Sequence, residues 1–471
     1  MTKLQMIERL AGALPNYILD LSSSSTTSLT QCKRFMSQVY TKDFAIQCPP
    51  QQRSWRKISQ EIGNLPLPGF PIRLILTKVE EDTLTFESSF IDTDREPVWS
   101  SLLDLNLRQR VSRQPFVAVS IIPTGVRAEI GGFAGDATPS TNLLAAACDY
   151  LVTNPNAVTA SDIYFAQDNV LYLEGNLICQ LLLGNIGVIP EKRKNIAAII
   201  EKPKDERFLS NVLNALNGLR AVGGINIDPV VVTGGPVETA CTYSQYGNAS
   251  GEFKGMDELI KALDVVESSP ARAVALITTL QVEDKIRQAY YRGESIPNPW
   301  GGAEAIMTHM TTNFYPFTAA HAPLLLEWEH TGFGKLVDPR DGAELISSAY
   351  VCSPLNGLIN SPRPVRFDTP VAAGETRISV ENVSAVVMPE TTVGNIPFLA
   401  ALDQGVPVIL VKDNTTKYDI TPERLQIETQ GKPIYRVNSY MEAAGLLLAL
   451  RNGIAVESTI RPMPQIKPVF L

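Results

Sequence analysis

All three histidines of the chain, His309, His321 and His330, fall in one short window. Histidine is the side chain whose ordinary pKa lets it give and take a proton near neutral pH. His309 follows Glu304 by five positions in GGAEAIMTHM, a helix-like run. His321 sits in TAAHAPLLL, an apolar strand-like run that stops at Pro323. Desolvation in such a run favours the neutral imidazole, which accepts a proton. The expected acid–base groups are therefore His321 and His309, with Asp136 as a strand-end carboxylate. A core histidine with one hydrogen-bond partner is the competing reading of His321. His330, in the polar stretch WEHTGFG, reads as solvated.

Other chemistries find less support. Glu304, His309 and His321 are the one nearby set that could ligate a metal, but they match neither H-E-x-x-H nor a facial triad. No metal or other cofactor is expected. A Ser-His-Asp hydrolase would need a G-x-S-x-G elbow, which is missing. Cys241 lies in a polar loop, yet no motif supports it as a thiol nucleophile. The loop Gly131-Gly132-Phe133-Ala134-Gly135-Asp136 departs from both G-x-G-x-x-G and G-x-x-x-x-G-K-[ST], so a nucleotide is not indicated. A turn closed by a helix-capping aspartate would explain the same residues.

These residues need elements to position them, and the chain supplies short β-branched runs at 116–122, 195–200, 228–233, 271–279, 384–389 and 407–411. Nearly continuous apolar runs suit parallel strands covered on both faces. Helical spacing appears at 139–151, 206–220, 255–266, 302–313, 341–352 and 440–451. Four of the strand-like runs lead into loops rich in glycine, hydroxyls, amides and acids, from PTGVRAEIGGFAGDATPS to KDNTT. Open α/β sheets bind ligands beyond the carboxyl ends of their strands. The expected substrate contacts are Gly131, Gly132, Gly135, Asn154, Asn156, Glu174, Gly234, Gly235, Glu238, Glu390, Asn395 and Asn414.

The fold class that follows is α/β, with Rossmann-like doubly wound parallel sheets in two lobes, 113–225 and 226–471. A small α+β module at 1–112 precedes them. It rests on PIRLILTKV and DTLTFESSF, whose alternation predicts antiparallel strands with one wet face. The change of texture near Phe116 makes the module look separable.

With 41 basic and 49 acidic residues the net charge is −8, and no basic stripe points to nucleic acid. No run approaches the roughly 18 apolar residues of a membrane span. Glu8 and Arg9 interrupt the apolar start, so a signal peptide is not expected. Six scattered cysteines without a C-x-x-C pair suggest reduced thiols and a cytoplasmic setting. The expected partner is a small molecule, with no nucleic acid and no membrane; a homo-oligomer stays open.

The segments PTGVRAEIGGFAGDA, CDYLVTNPNAVTASD, LYLEG, GAEAIMTHM with AAHAP, SPLNGLINSPRPV, VVMPETTVGN, GVPVILVKDN and NSYMEAAGLLLALRNGI occur in that order. Together they resemble a bacterial and plastid-lineage family, domain of unknown function 3326, over roughly residues 115–460. AAHAP and VKDN are the most specific of them. The resemblance implies a shared fold and a small-molecule site around Gly131–Asp136, His309 and His321, without an established activity. The expected function is an enzyme of isomerase, lyase or hydrolase type on a small polar or anionic metabolite, using histidine and no nucleotide. The alternatives are a non-catalytic metabolite-binding or assembly protein and a glycosyl-type enzyme with two Rossmann-like lobes.

Overall fold

In a computed structural model the chain is described over residues 37–109, 115–133, 135–154, 165–192, 195–203, 206–324, 351–427, 431–463 and 465–469. Six short parallel strands form the largest sheet, in the order β18 (Ile434–Val437), β17 (Val408–Val411), β16 (Val383–Pro389), β4 (Val117–Ser120), β5 (Tyr150–Thr153) and β6 (Val170–Tyr172). The chain winds outward from its centre both ways, so β4 and β16 flank a switch point where the crossover direction reverses. A second, four-stranded parallel sheet runs β14 (Thr318–Pro323), β12 (Ala273–Thr278), β8 (Asn195–Ile200), β9 (Asn226–Val232). Both sheets take strands from either side of residue 225.

Three antiparallel strands, β1 (Gln38–Gln47), β3 (Thr83–Asp92) and β2 (Phe70–Val79), form the N-terminal module with helix α1 (Trp55–Gly63). Two small sheets complete the set, β11 (Ala249–Lys254) with β10 (Glu238–Tyr243) and β13 (Leu280–Gln281), and β15 (Arg363–Arg366) with β7 (Ile186–Ile189). The remaining helices are α2 (Thr138–Ala145), α3 (Gly175–Leu182), α4 (Glu206–Gly223), α5 (Met256–Glu267) and α6 (Asp284–Tyr291). They continue with α7 (Gly301–Phe314), α8 (Cys352–Ile359), α9 (Ile396–Asp403) and α10 (Tyr440–Arg451). The α/β class with parallel sheets and a leading α+β module is as expected.

Side-chain alternation splits the six-stranded sheet between two cores. Val117, Val119, Val386, Met388, Val408 and Leu410 join one cluster with α3 and α9. Ala118, Ala385, Val387, Ile409 and Val411 join another with α2, α10 and one face of the second sheet. Strands apolar at every position are thus buried on both sides.

Two local departures have physical causes. The helix expected over 139–151 stops at Ala145, and Tyr150–Thr153 becomes β5. Asp149 accepts a hydrogen bond from the Phe116 amide at 2.7 Å and donates its own amide to the Phe116 carbonyl at 2.9 Å. That pins the following residues beside β4, where they pair as a strand. Second, β2 and β3 lack the wet face that alternation predicts, since Arg73, Glu87, Ser88 and Ser89 are buried along with their apolar neighbours.

The cause is that the module is packed into the rest of the chain. Trp55, Ile58, Leu76, Leu84 and Phe86 share one cluster with the six-stranded sheet. The buried Arg53 guanidinium donates to the carbonyls of Cys48, Glu80 and Glu81 within the module and to Leu425 far along the chain, at 2.6–3.1 Å. Met36–Leu471 accordingly form a single compact unit. A chain that begins at residue 115 is expected to lose cooperative unfolding in urea, because it would expose one side of that cluster. Urea titration followed by tryptophan fluorescence and circular dichroism checks this.

Candidate functional site

Beyond the carboxyl ends of β4, β5, β6 and β16 lies a cavity of about 170 Å³. The loop after β4 contributes Ile121, Pro123, Thr124 and Val126, and the loop after β16 contributes Thr392, Gly394 and Asn395. Asn154 follows β5, while Gly175 and Asn176 open α3 after β6. The position is the switch-point crevice, where strand ends on either side of a topological reversal leave a gap. Ile72–Leu76 of β2 and His309 of α7 close it from outside the sheet.

His309 is held by Glu174. The Glu174 side chain has no exposed surface, and its carboxylate is met by donors at every turn. His309 Nδ1 and the Thr308 hydroxyl, the latter at 3.0 Å, bind Oε1. The Asn176 amide and the Thr312 hydroxyl bind Oε2, both at 2.8 Å. Glu174 is also the N-cap of α3, where the helix end favours negative charge. Burial pushes this carboxyl upward, but the His309 charge and the hydrogen bonds of His309, Thr312 and Thr308 outweigh it. The net result is a carboxylate held below its ordinary range, ionised and dry. Nδ1 therefore carries the proton in the shared hydrogen bond, and Nε2 is the ring nitrogen not engaged by Glu174. Gly175 makes room for the ring, since a Cβ there would lie 3.0 Å from His309 Cε1. The imidazole keeps 16% of its side-chain surface exposed.

Four buried polar atoms of wall residues lack a hydrogen-bond partner among the described residues. They are Arg73 Nη1, Thr124 Oγ1, Asn154 Oδ1 and Asn176 Oδ1. Buried polar groups are normally satisfied, and all four of these belong to residues around one cavity. Most of the remaining wall is apolar, including Leu74, Leu102, Ile178 and Ile396. Cys179 is also on the wall, but burial, reinforced by Glu174, pushes its thiol far up, so it is no nucleophile at neutral pH.

His321 is elsewhere. It lies in β14, is 0% exposed, and bonds Glu304 through Nδ1 at 2.7 Å and the Thr278 hydroxyl through Nε2 at 2.9 Å. Burial pushes the Glu304 carboxyl up against the opposing pull of His321. Helix α7 carries both pairs because five residues turn the direction by about 140° at 3.6 residues per turn. Glu304 thus faces β14 while His309 faces α3. Among the described residues no three His, Cys, Asp or Glu side chains converge to hold a metal ion. His330 and Asn156 lie outside the described residues.

The glycine loop is knitted into the fold. Asp136 accepts from the Gly131 amide at 2.6 Å. Gly131 has φ +87° and its Cβ would strike the Ile122 side chain, while a Cβ on Gly132 would strike the Ala128 carbonyl. Gly135 has φ +92°. Asn414, fully buried, accepts from the Ile130 amide and donates to the Ile130 carbonyl and the Tyr440 hydroxyl, stapling the β4 and β17 loops together. Asn395 caps α9 and also lines the cavity. Glu390 pairs with Arg436. Gly234 and Gly235 donate their amides to Glu258, and Glu238 is exposed on β10. Of the expected contacts the structure brings Asn154, Asn395 and His309 to the cavity wall, with Glu174 directly behind. Sequence reading missed Arg73, Thr124, Asn176, Thr308 and Thr312. The signals were a lone arginine in an apolar strand run and two threonines four apart, flanking His309 on one helix.

The chain belongs to a family described as Protein of unknown function (DUF3326), which matches residues 117–460. An uncharacterized lipoprotein of Synechococcus sp. is 26% identical over 339 residues, which span 72% of this chain and 91% of that protein. No solved structure matches the chain. The lipoprotein relative corrects the expectation of a cytoplasmic location, since a lipid anchor places a protein at a membrane. Cysteine usage alone does not report on anchoring. Among the described residues no helix is long and apolar enough to cross a membrane.

Glu174→Ala is expected to cost about 3–5 kcal/mol at neutral pH, the usual consequence of breaking a buried pair from one side. The folded carboxyl is held below its unfolded value, so its stabilisation is present above about pH 4 and lost as pH falls through the folded value. Urea midpoints of wild type and variant should therefore converge in acid. His321→Asn should destabilise by about 1–3 kcal/mol through the groups it leaves unpaired. Ligand binding at the cavity, read by calorimetry, should survive it.

Proposed function

We propose that this DUF3326 member is an acid–base enzyme that moves a proton on a small polar molecule held in the switch-point cavity. One observation carries the reading: His309 stands on the cavity wall with its far nitrogen bound to an ionised, fully buried carboxylate. A carboxylate behind an imidazole fixes the tautomer and ring plane and stabilises the imidazolium once a proton arrives. Nε2 of His309 is the general base, and afterwards the general acid. Thr124, Asn154 and Asn176 supply hydrogen bonds to the substrate's polar groups. The largely apolar wall lowers the local dielectric, which strengthens each of these contacts. The same apparatus serves an isomerisation, an elimination or an addition of water, because each needs one proton removed and one returned.

A second reading, a non-catalytic carrier of the same ligand, is favoured by the largely apolar wall and by the lipoprotein relative. The two part on turnover. Native mass spectrometry of the purified full chain identifies the small molecule that stays bound. Incubating that molecule with protein in D2O should then give deuterium uptake, isomerisation, or gain or loss of water. His309→Asn should slow the change by about 10²–10⁴, the usual share of a positioned general base, and still bind. A bound molecule that emerges unaltered and unexchanged supports the carrier and ends the acid–base reading.

A further inference from the structure

The wall residues divide by charge in a way that names the ligand. Among the described residues lining the cavity the charged or chargeable nitrogen groups are Arg73 and His309, and no aspartate or glutamate is on the wall. The carboxylates stand behind: Glu174 behind His309, and Glu87 behind Arg73 with Oε1 3.5 Å from Nη1. Arg73 is nine-tenths buried, its Nη2 donates to the Ala249 carbonyl at 3.1 Å, and its Nη1 makes no hydrogen bond. Glu87 is itself anchored, accepting at Oε2 from Asn248 at 3.0 Å, and Asn248 is bonded in turn to the Tyr418 hydroxyl on the cavity wall. A guanidinium presents a fork of donors suited to an oxyanion. With its carboxylate partner too far for a good hydrogen bond, one arm of this fork is left for something else.

We infer that the cavity takes a small organic anion whose oxyanion head binds Arg73 and whose apolar body lies along Leu74, Leu102, Ile178 and Ile396. This deepens the acid–base reading and rests on it for the role of His309. A cavity of 150 Å³ holds benzene, so about 170 Å³ suits a body of comparable size; a carboxylate on a short chain or ring is the simplest member of the class. The anchor lies on β2, outside residues 117–460, which the family matches. The N-terminal module therefore supplies the specificity of a site whose acid–base pair belongs to the family segment.

Calorimetric titration of the full chain with hexanoate and with its neutral isostere hexanamide tests this. Hexanoate should bind about tenfold to a hundredfold more tightly, the increment of one charge-assisted hydrogen-bonded contact. Glu87→Gln should strengthen hexanoate binding, because it removes the carboxylate that competes for Nη1, and damage to the fold would not do that. The double variant Arg73→Gln/Glu87→Gln leaves no lone buried charge and should bind the two probes alike. Equal binding of both probes by wild type, binding of neither, or a charge preference that survives the double variant would overturn the inference. Turnover of the co-purified molecule in D2O is a separate reading. If it depends on His309 while hexanamide binds as well as hexanoate, the acid–base role stands and the anion assignment fails. If hexanoate is preferred through Arg73 and nothing turns over, the reverse holds.

Discussion

A carboxylate without exposed surface must be answered on both oxygens or take up a proton, and Glu174 is answered on both. Its four partners come from two elements: Asn176 opens α3, and Thr308, His309 and Thr312 lie along one face of α7. Satisfying one buried charge therefore fixes the distance and rotation of these helices against each other. That contact also decides which histidine nitrogen the carboxylate leaves unengaged. The surrounding chain is arranged to keep α7 in place. Trp99 donates from its indole to the Thr312 carbonyl, and the Val98 amide donates to the Asn313 carbonyl. These bonds occupy carbonyls that the helix end would otherwise leave unpaired.

The topology explains why the cavity is where it is. Crossovers leave β4 and β16 in opposite directions, so their loops diverge and no helix fills the space between their carboxyl ends. An isolated doubly wound sheet would leave that crevice open to water. Here β2 is laid across it, and the module's buried side chains merge with those of the sheet. The merger also accounts for the polar residues buried in β2 and β3, which face packed chain instead of solvent; of these, Arg73 lines the cavity.

The two histidine–carboxylate pairs of α7 share a geometry and differ in burial. Both place a glutamate against Nδ1. Glu174 has four donors and stays ionised, and its histidine keeps an exposed edge on a cavity. Glu304 has one partnered oxygen and one orphan, burial pushes its carboxyl up, and its histidine is sealed between Thr278 and the helix. Access, rather than residue type, separates the two imidazoles: one borders a cavity and the other is sealed.

Much of the frame was legible in the sequence, because parallel strands buried on both faces must be apolar at every position. The runs FVAVSII, NIAAII, SAVVMP and PVILV became β4, β8, β16 and β17 for that reason. Asn154, Asn395 and Glu174 were legible as polar groups at strand and helix ends, and His309 as a histidine within a helix-like run. Asp149 hid the end of α2, since a helix-breaking contact with Phe116 depends on where β4 lies. The strand run PIRLILTKV carried an arginine that local alternation assigned to solvent. Only the packing of β2 over the switch point turned it inward. Likewise, one short run of α7 supplied both Glu304 and His309, and nothing local says which histidine meets water. Local patterning sets which residues must be buried and which can end an element. The pairing of charges across long sequence separations is set by the tertiary structure, because only there does each buried carboxylate find the donors that its desolvation requires.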